Sequence, residues 1–524
     1  MTLGRLQRRE RAQTGAHDLS RCRLPPTPRP SATGRRIRTV GSRLLERRVG
    51  IVALLIGVTG ALALPAAAAA HGIGGRADLP IPPWLFVWTA AIVLVISFVV
   101  LGALWRTPLL ENSPTAALPD WFNRIVTSRA LEIALGTASV AGLGILLWAG
   151  FDGRQSATNN ITPTFVYITF WLGLVPVSVI FGNLYSAINP WRAIGRGVGW
   201  ATGRALGKHA DVVPYPDWLG VIPAAAGLFA FGWLENVATN GQLPRNVAAA
   251  ALVYTCFTLI GMAVFGVERW VERAEAFGVY FSLLSRISLF GRDGDTIYFR
   301  RPLSGLTKLG PIRGLVLLIS VMIGTVSFDG FGEGPVWAEI APPMEDFFDG
   351  SLGATGARLI TDSIGMAAMV AVIFGFFILG GWTVRLMADG WHSTEARRRT
   401  YAQMFVHSLV PIAVAYMGAH FITLFLLEGQ GIASLVSDPV GRGWDLFGTR
   451  GTGINFGLIG AINTWYIQVS MVVAGHVAAL ALAHDRALIA FTDPRRAARS
   501  QLGMLLVMIG LTCFALWLLN EANA

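Results

Sequence analysis

Long apolar runs separated by short polar segments dominate the chain after about residue 80. Several runs reach or exceed the roughly 20 residues that a helix needs to cross a bilayer. Helices satisfy their own backbone hydrogen bonds, so they suit an apolar environment. The pattern therefore predicts an all-α fold, a polytopic transmembrane helical bundle of about 10 spans after a cleaved signal peptide. The predicted spans are 84–105, 130–150, 164–187, 217–236, 246–267, 314–328, 359–384, 403–427, 464–484 and 501–519.

The segment before the first span has the pattern of an export signal. Residues 1–48 hold 13 Arg and three acidic residues, which predicts a basic disordered leader; a start codon assigned too far upstream would produce the same feature. Residues 47–70 combine basic residues, an apolar run and an Ala-x-Ala cleavage pattern, which predicts a signal peptide cut before His71. Residues 71–524 then form a single transmembrane helical domain.

Charge distribution predicts the orientation of these spans. If His71 is exported, the five inner loops hold 23 Lys and Arg, whereas the outer segments hold six. An excess of basic residues inside is the usual rule for membrane proteins. We therefore expect a multi-pass protein of the bacterial plasma (inner) membrane, with its mature N-terminus outside and the lipid bilayer as its surroundings.

Composition narrows the functional classes. The chain is 53% hydrophobic and 14% charged, against about 25% charged residues in a typical soluble domain. Its net charge of +11 comes almost entirely from the leader, so it gives no support for nucleic-acid binding. The three cysteines are far apart and predict neither a disulfide framework nor a CxxC metal site. The spans contain no GxSxG or HExxH motif and no cluster of paired carboxylates.

Three long loops carry features of their own. The inner loop 268–313 is basic, and its RDGDTIYFRR segment predicts a short hairpin over Asp293 and Gly294; binding to anionic lipid is the simplest role for this loop. The outer loop 329–358 carries six acidic residues, and the outer loop 428–463 is rich in glycine.

Four histidines make the last spans the main candidates for function. His407 and His420 belong to the eighth span, whereas His476 and His484 belong to the ninth, within GHVAALALAHDR at residues 475–486. An ionisable side chain inside a span is costly to bury without a partner and is a functional hypothesis by default. Because the two spans run in opposite directions, the four histidines form a staircase across the membrane.

Helical geometry restricts how these histidines can act. His407 and His420 point about 140° apart at 100° per residue, which disfavours stacked haems on one helix. His476 and His484 are about 12 Å apart along their helix, too far to share one ion. Any metal site must therefore lie between helices. The alternatives are that each histidine donates one hydrogen bond to a neighbouring helix, or that His484 reaches the inner interface beside Asp485.

The pair predicted for an intramembrane metal or proton site is His420 with His476. Imidazole suits copper or zinc, so either divalent metal is the cofactor expected. The neighbours predicted for this pair are Tyr416, Met417 and Gln468.

Further polar candidates lie outside this pair. The α-amine and ring of His71 could chelate a metal at the mature N-terminus, and Asp362 could reach into the bundle from the seventh span. In the ninth span, Gly475, Ala479 and Ala483 recur every four residues, a small-residue pattern that lets two helices approach closely. This helix is therefore expected inside the bundle.

Four segments together resemble one family. They are HGIGGRADLPIPPWLFVW at the exported start, FGNLYSAINPWR after the third span, FDGFGEGPVW at residues 328–337 and WYIQVSMVVAGHVAALALAHDRAL in the ninth span. Over most of residues 71–490 the chain resembles bacterial multi-span membrane proteins labelled fenitrothion hydrolase. The resemblance implies hydrolysis of an organophosphate triester at the membrane and allows a second membrane component; it assigns no catalytic residues.

Three hypotheses follow. The residues themselves favour a protein that binds or moves a small solute, metal ion or proton along an intramembrane path containing histidines. The resemblance implies instead a membrane-bound phosphotriester hydrolase. A third hypothesis is a scaffold subunit whose partner supplies the chemistry, which the long loops would suit.

Overall fold

A computed structural model describes residues 83–206, 212–389, 401–491 and 493–521. The predicted leader, the predicted signal peptide and His71 lie outside these residues.

Within the described residues the chain is mostly helical, as predicted. Nineteen α-helices lie wholly within the described residues; α4 has three residues, each of the others has at least four, and they are numbered here in chain order. They are α1 Pro83–Leu104, α2 Asp120–Val126, α3 Arg129–Asp152, α4 Ile161–Pro163, α5 Leu174–Phe181, α6 Tyr185–Ile188, α7 Pro190–Leu206, α8 Ile222–Asn236, α9 Pro244–Phe265, α10 Val267–Arg273, α11 Ala276–Leu284, α12 Leu315–Gly332, α13 Pro335–Asp389, α14 Val410–His420, α15 Ile422–Leu426, α16 Ile432–Ser437, α17 Ala461–Ala490, α18 Pro494–Ser500 and α19 Leu502–Glu521.

Seven helical stretches among the described residues are long and apolar enough to cross a membrane, which supports the transmembrane-type bundle. Apolar helices α1, α8 and α19 also coincide with the first, fourth and tenth predicted spans. The count of about ten spans stays a prediction. The seven stretches are Asp120–Asp152, Ile161–Phe181, Pro244–Phe265, Leu315–Gly332, Pro335–Met387, Tyr401–His420 and Ala461–Ala490.

The predicted outer loop 329–358 is wrong, because most of this segment is helical. Helix α12 continues to Gly332, and α13 begins at Pro335 and runs through the predicted seventh span. Gly353, with φ 70°, is the one residue of α13 with non-helical backbone angles. Trp337 and Ala341, one helical turn apart, are buried in a cluster with Phe328. The burial of these apolar side chains stabilises the helix, whereas the acidic residues of the segment had predicted a loop.

The eighth predicted span is interrupted rather than continuous. A 3-10 turn at Val406–Leu409 precedes α14, which has Pro411 in its first turn, where a missing backbone N–H is tolerated. Phe421 then separates α14 from α15. The break places His420 at a helix end.

The predicted hairpin is confirmed. Strand β2, Phe290–Asp293, pairs antiparallel with β3, Thr296–Phe299, and Gly294 adopts φ 56° in the turn. Strand β1, Ala116–Ala117, pairs with the other edge of β3. The small sheet therefore joins the loop after α1 to the loop 268–313, and the sequence predicts both loops on the inner side of the membrane.

Loop contacts define two faces of the bundle. On the hairpin face, the side chain of Arg301 donates to Leu109 O at 3.0 Å, and Asp485 accepts from Leu109 N at 2.6 Å. On the opposite face, Arg442 pairs with Asp152 at 2.6 Å. Both contacts join loops for which the sequence predicts a common side.

Helices α14 and α17 approach each other closely where the small-residue pattern predicts. A Cβ built on Gly475 would lie 2.3 Å from Ala415 Cβ and 2.9 Å from Pro411 O. Ala479 and Ala483 are fully buried in the same helix. The prediction that the ninth span lies inside the bundle is confirmed by this burial.

We expect Gly475→Ala to lower thermal stability, because the new methyl group would push α14 and α17 apart. Overpacking of this kind costs about 1–3 kcal/mol. Gly375→Ala is the matched control: Gly375 lies inside α13, and a Cβ there would meet no atom within 4 Å. Thermal unfolding of the purified protein in detergent measures both variants. Equal melting temperatures would contradict the close approach.

Candidate functional site

A contact between a carboxylate and an imidazole joins α12 to α14. Asp329 Oδ2 lies 2.5 Å from His420 Nε2, and the two side chains are 27% and 12% exposed. A carboxylate paired with an imidazole at this distance forms a strong, charge-assisted hydrogen bond when the ring is protonated. The structure thus gives His420 a partner near the end of α12, one residue beyond the sixth predicted span, rather than a partner from the ninth span.

Local structure positions His420 for this contact. It is the last residue of α14, where the helix dipole favours a positive charge. The next residue, Phe421, packs edge-on against the imidazole with ring centres 4.6 Å apart and also contacts Trp171 at 5.1 Å. These aromatic contacts hold the ring at the helix end, facing α12.

A second carboxylate lies beside the pair, at the end of α8. Glu235 is close enough to Asp329 for the two carboxylates to interact electrostatically. Glu235 Oε2 and Asn236 Oδ1 are buried and have no hydrogen-bond partner among the described residues. Glu235, Asn236, Asp329 and His420 are called the carboxylate–histidine site below.

Tyr416 extends the site by one turn of α14. Its ring centre lies 6.4 Å from that of His420, and it lies near Ser327 and Asp329 of α12. Its buried hydroxyl has no hydrogen-bond partner in the described part of the chain. The neighbour predicted for His420 is therefore present, and its hydroxyl lies beside Ser327.

A small cavity lies about one helical turn inward from the site. Its volume is about 20 Å³, room for about one water molecule. The hydroxyl of Tyr280 contacts Met417 Sδ at 2.8 Å on its wall, so Met417 belongs to the cavity rather than to a metal site with His476. The cavity is lined by Trp171, Leu228, Phe231, Gly232, Tyr280, Val321, Met322, Thr325, Val326 and Met417.

His476 is not brought to His420. Helices α14 and α17 run antiparallel, with Gly475 against Ala415. His476 therefore lies about six residues, or about 9 Å, from the level of His420 along the helix pair. Its Nδ1 donates to Val472 O at 2.8 Å, while its Nε2 is buried without a partner among the described residues.

The remaining members of the histidine staircase are also separate from the site. His407 is buried beneath α14, and its Nε2 has no partner in the described chain. Gln468, the last predicted neighbour, is buried in α17. Within the described residues, no group of three or more His, Cys, Asp and Glu side chains lies close enough to hold a metal ion. The copper or zinc ion stays a prediction.

His484 does not reach out to the interface; it is 2% exposed. Its Nε2 donates to Trp105 O at 2.9 Å, and its Nδ1 accepts from Gln501 Nε2 at 3.2 Å. The ring therefore joins α17 to the end of α1 and to the start of α19. This is the alternative in which a histidine only bonds to neighbouring helices.

Asp485 anchors the segment that follows α1. It is fully buried and accepts four hydrogen bonds, from the Trp105 indole at 3.0 Å and from the backbone N–H groups of Leu109, Leu110 and Glu111 at 2.6, 3.1 and 2.8 Å. Four donors compensate much of the cost of burying its charge.

Arg486 completes this anchor on the hairpin face. It forms an ion pair with Glu111 at 2.9 Å and donates to Thr307 O. Burial raises the pKa of the Glu111 carboxyl above its ordinary value, and the positive charge of Arg486 opposes this rise. The Asp-Arg pair thus fixes two loops to the end of α17.

Asp362 does not join the carboxylate–histidine site through any of its hydrogen bonds. Its Oδ1 accepts from the Trp337 indole at 3.0 Å, and its Oδ2 lies 3.5 Å from Arg358. Trp337 lies before the Gly353 kink, so Asp362 ties the two parts of α13 together.

Sequence reasoning missed Glu235 and misplaced Asp329. Both lie at the ends of spans, where an acidic residue is usually read as solvated. Asp329 was expected in an outer loop, but α12 extends past it to Gly332. The only available signal was that Glu235, Asp329 and His420 end spans that all run in the same direction, which places them at one level of the bundle.

In comparisons with known proteins, no family model matches this chain, and neither a curated protein nor a solved structure matches it significantly. The resemblance to fenitrothion hydrolases therefore stays a prediction, and the site must be interpreted from its own geometry.

A double-mutant cycle tests the central pair. We expect Asp329→Asn and His420→Gln to be coupled by about 1–3 kcal/mol in the free energy of unfolding, because each removes the other's partner. Denaturant unfolding in detergent measures the cycle. The matched control combines Asp329→Asn with His476→Gln, a distant pair that should be additive within about 0.5 kcal/mol. Additivity in the first cycle would show that the pair does not form.

Proposed function

We propose that this chain is an integral membrane protein that binds and moves a proton or small cation through the carboxylate–histidine site. The observation that carries this proposal is the Asp329–His420 pair inside a bundle of apolar helices, with Glu235 beside it. Ionisable groups in such surroundings commonly mark ion and proton pathways.

The chemistry of the site fits cation exchange. Two carboxylates and one imidazole lie together, so a proton on His420 and an external cation compete for the same negative charge. Tyr416 adds a polar side chain on the inward side of His420, one turn earlier in the same helix.

The position of the site also supports transport. Glu235, Asp329 and His420 lie near the ends of α8, α12 and α14 on the opposite face. Residues 333–357, which follow α12 on that face, contain five acidic residues and no Lys or Arg. A surface of one charge raises the local concentration of counter-ions. Cations would therefore be concentrated where the site opens.

Proton flux into liposomes that contain the purified protein and a pH-sensitive dye tests the proposal. We expect Asp329→Asn to reduce flux by about tenfold or more, because a neutral amide cannot exchange a proton. Asp295→Asn is the matched control and should leave the flux unchanged, since Asp295 is an exposed acid in the hairpin, away from the site. Flux in the wild type equal to that of empty liposomes, or full flux in Asp329→Asn, would refute the proposal.

A second candidate is the membrane-bound phosphotriester hydrolase that the resemblance implies. The Asp329–His420 pair favours it specifically, because a carboxylate-oriented imidazole is an effective general base for activating water. Nitrophenol release from fenitrothion by the purified protein tests this candidate. Release that falls by about 100-fold in His420→Gln would support it. Release no faster than from liposomes without protein would exclude it.

A further inference from the structure

Two arginines on the hairpin face lie against the same glycine. Arg286, in the 3-10 turn that follows α11, donates from Nη1 to Gly305 O at 3.5 Å. A side chain at position 305 would collide with the guanidinium of Arg300, which follows β3. Ion pairs on this face belong to Arg292 and Arg486, and no carboxylate among the described residues pairs with Arg286 or Arg300. Two positive charges therefore adjoin without a negative one.

Backbone carbonyl groups fix the orientation of Arg300. Its Nε donates to Ser288 O at 3.0 Å, and its Nη2 donates to Ser285 O at 2.9 Å. These carbonyl groups lie in the turn after α11, where the last carbonyls of a helix lack partners within it. Neutral acceptors of this kind hold the guanidinium in place but leave its full charge uncompensated.

Arg286 keeps most of its donors available. Among the described residues, the 3.5 Å contact with Gly305 O is the one hydrogen bond of its side chain. The hydroxyl of Tyr298 lies close enough to Arg300 to accept a hydrogen bond from it, which leaves the phenol proton for another acceptor. Donors from three half-buried side chains therefore lie together.

Electrostatics show that this arrangement has a cost. Burial lowers the pKa of the Arg286 guanidinium below its ordinary value, and the positive charge of Arg300 lowers that pKa further. An arginine nevertheless keeps its charge at neutral pH. The two guanidiniums therefore repel each other, and an anion placed between them would remove the repulsion.

The surrounding surface indicates the source of that anion. Leu289 and Phe299 are exposed, and both adjoin Arg300: Phe299 precedes it, and Leu289 O accepts from its backbone N–H at 2.8 Å. Exposed apolar side chains beside basic ones suit the boundary between lipid headgroups and acyl chains. Anionic lipids are concentrated in the inner leaflet, and the sequence predicts this loop on the inner side.

We propose that Arg286, Arg300 and Tyr298 bind the phosphate group of an anionic phospholipid. The planar guanidiniums match the geometry of phosphate oxygens, and Arg286 provides the open donors. Leu289 and Phe299 contact the upper part of an acyl chain. This lipid site goes beyond the proposed function, because it lies on the hairpin face and the carboxylate–histidine site lies on the opposite face.

Native mass spectrometry of the purified full-length protein in neutral detergent measures the binding. Phosphatidylglycerol and phosphatidylcholine are titrated separately at constant ionic strength. We expect phosphatidylglycerol to bind about tenfold more tightly, because the choline group of phosphatidylcholine brings a positive charge towards the arginines. Equal affinities for the two lipids would overturn the inference.

Inorganic phosphate, added as a competitor, distinguishes a lipid site from a site for free phosphate. We expect it to displace phosphatidylglycerol only at about tenfold excess or more, because it lacks the apolar contact with Leu289 and Phe299. Displacement at equal concentrations would overturn the assignment to a lipid.

Two variants and one control locate the binding. Arg286→Gln should weaken phosphatidylglycerol binding by about tenfold, because it removes a charged donor. Arg286→Lys keeps the charge but loses the planar fork and should weaken binding by about threefold. Arg292→Gln is the matched control, since it removes a charge from the same hairpin. Because Arg292 already pairs with Asp295, the affinity should stay within about twofold.

Melting temperatures without added lipid identify any variant that is poorly folded. Equal losses of affinity in Arg286→Gln and Arg292→Gln would show attraction by overall charge and overturn the site. Should Arg286→Gln fail to fold, the charge-conserving Arg286→Lys decides, and wild-type affinity in that variant would overturn the inference.

Discussion

The close approach of α14 and α17 at Gly475 is the constraint on which the rest of the central packing depends. Pro411 O and Ala415 Cβ lie where a side chain at position 475 would have to go. In an apolar environment, helix association depends on van der Waals contact and shared hydrogen bonds, so small residues at the contact determine which helices pair. This pairing fixes the antiparallel register, which separates His476 from His420 and leaves His420 facing α12.

Polar side chains in the bundle are of two kinds: those whose polar atoms all have hydrogen-bond partners within the chain, and those with polar atoms for which the described residues provide no partner. Asp485 accepts four hydrogen bonds and His484 uses both ring nitrogens, so these residues have the partners that a structural anchor requires. At the carboxylate–histidine site, the Asp329–His420 pair is made, but Glu235 Oε2 and Asn236 Oδ1 have no hydrogen-bond partner within the described part of the chain. These acceptors distinguish the site from the anchor around Asp485, where every bond is made within the chain.

The sequence predicted the helical class, the buried small-residue face of α17 and the hairpin at Gly294, because each depends on a local pattern. It was less successful with the site. Two of the residues predicted for the site, Tyr416 and Met417, do lie close to His420, since they belong to the same helix. His476 does not, because residues on another helix depend on register. Segment 329–358 was predicted to be a loop because it is acidic. The helical spacing of Trp337 and Ala341, which are buried together, was the pattern that indicated a helix.

The sequence by itself determined which segments are apolar helices, where small residues allow close contact, and that ionisable groups occupy the last spans. These properties follow from periodicity and side-chain size within one segment. Only the tertiary structure decided the partners: Asp329 for His420, Trp105 for His484, and Glu235 beside Asp329. The physical reason is that these contacts join helices distant in the chain. Their rotation and register are fixed by packing against all their neighbours, and no pattern within one helix specifies them.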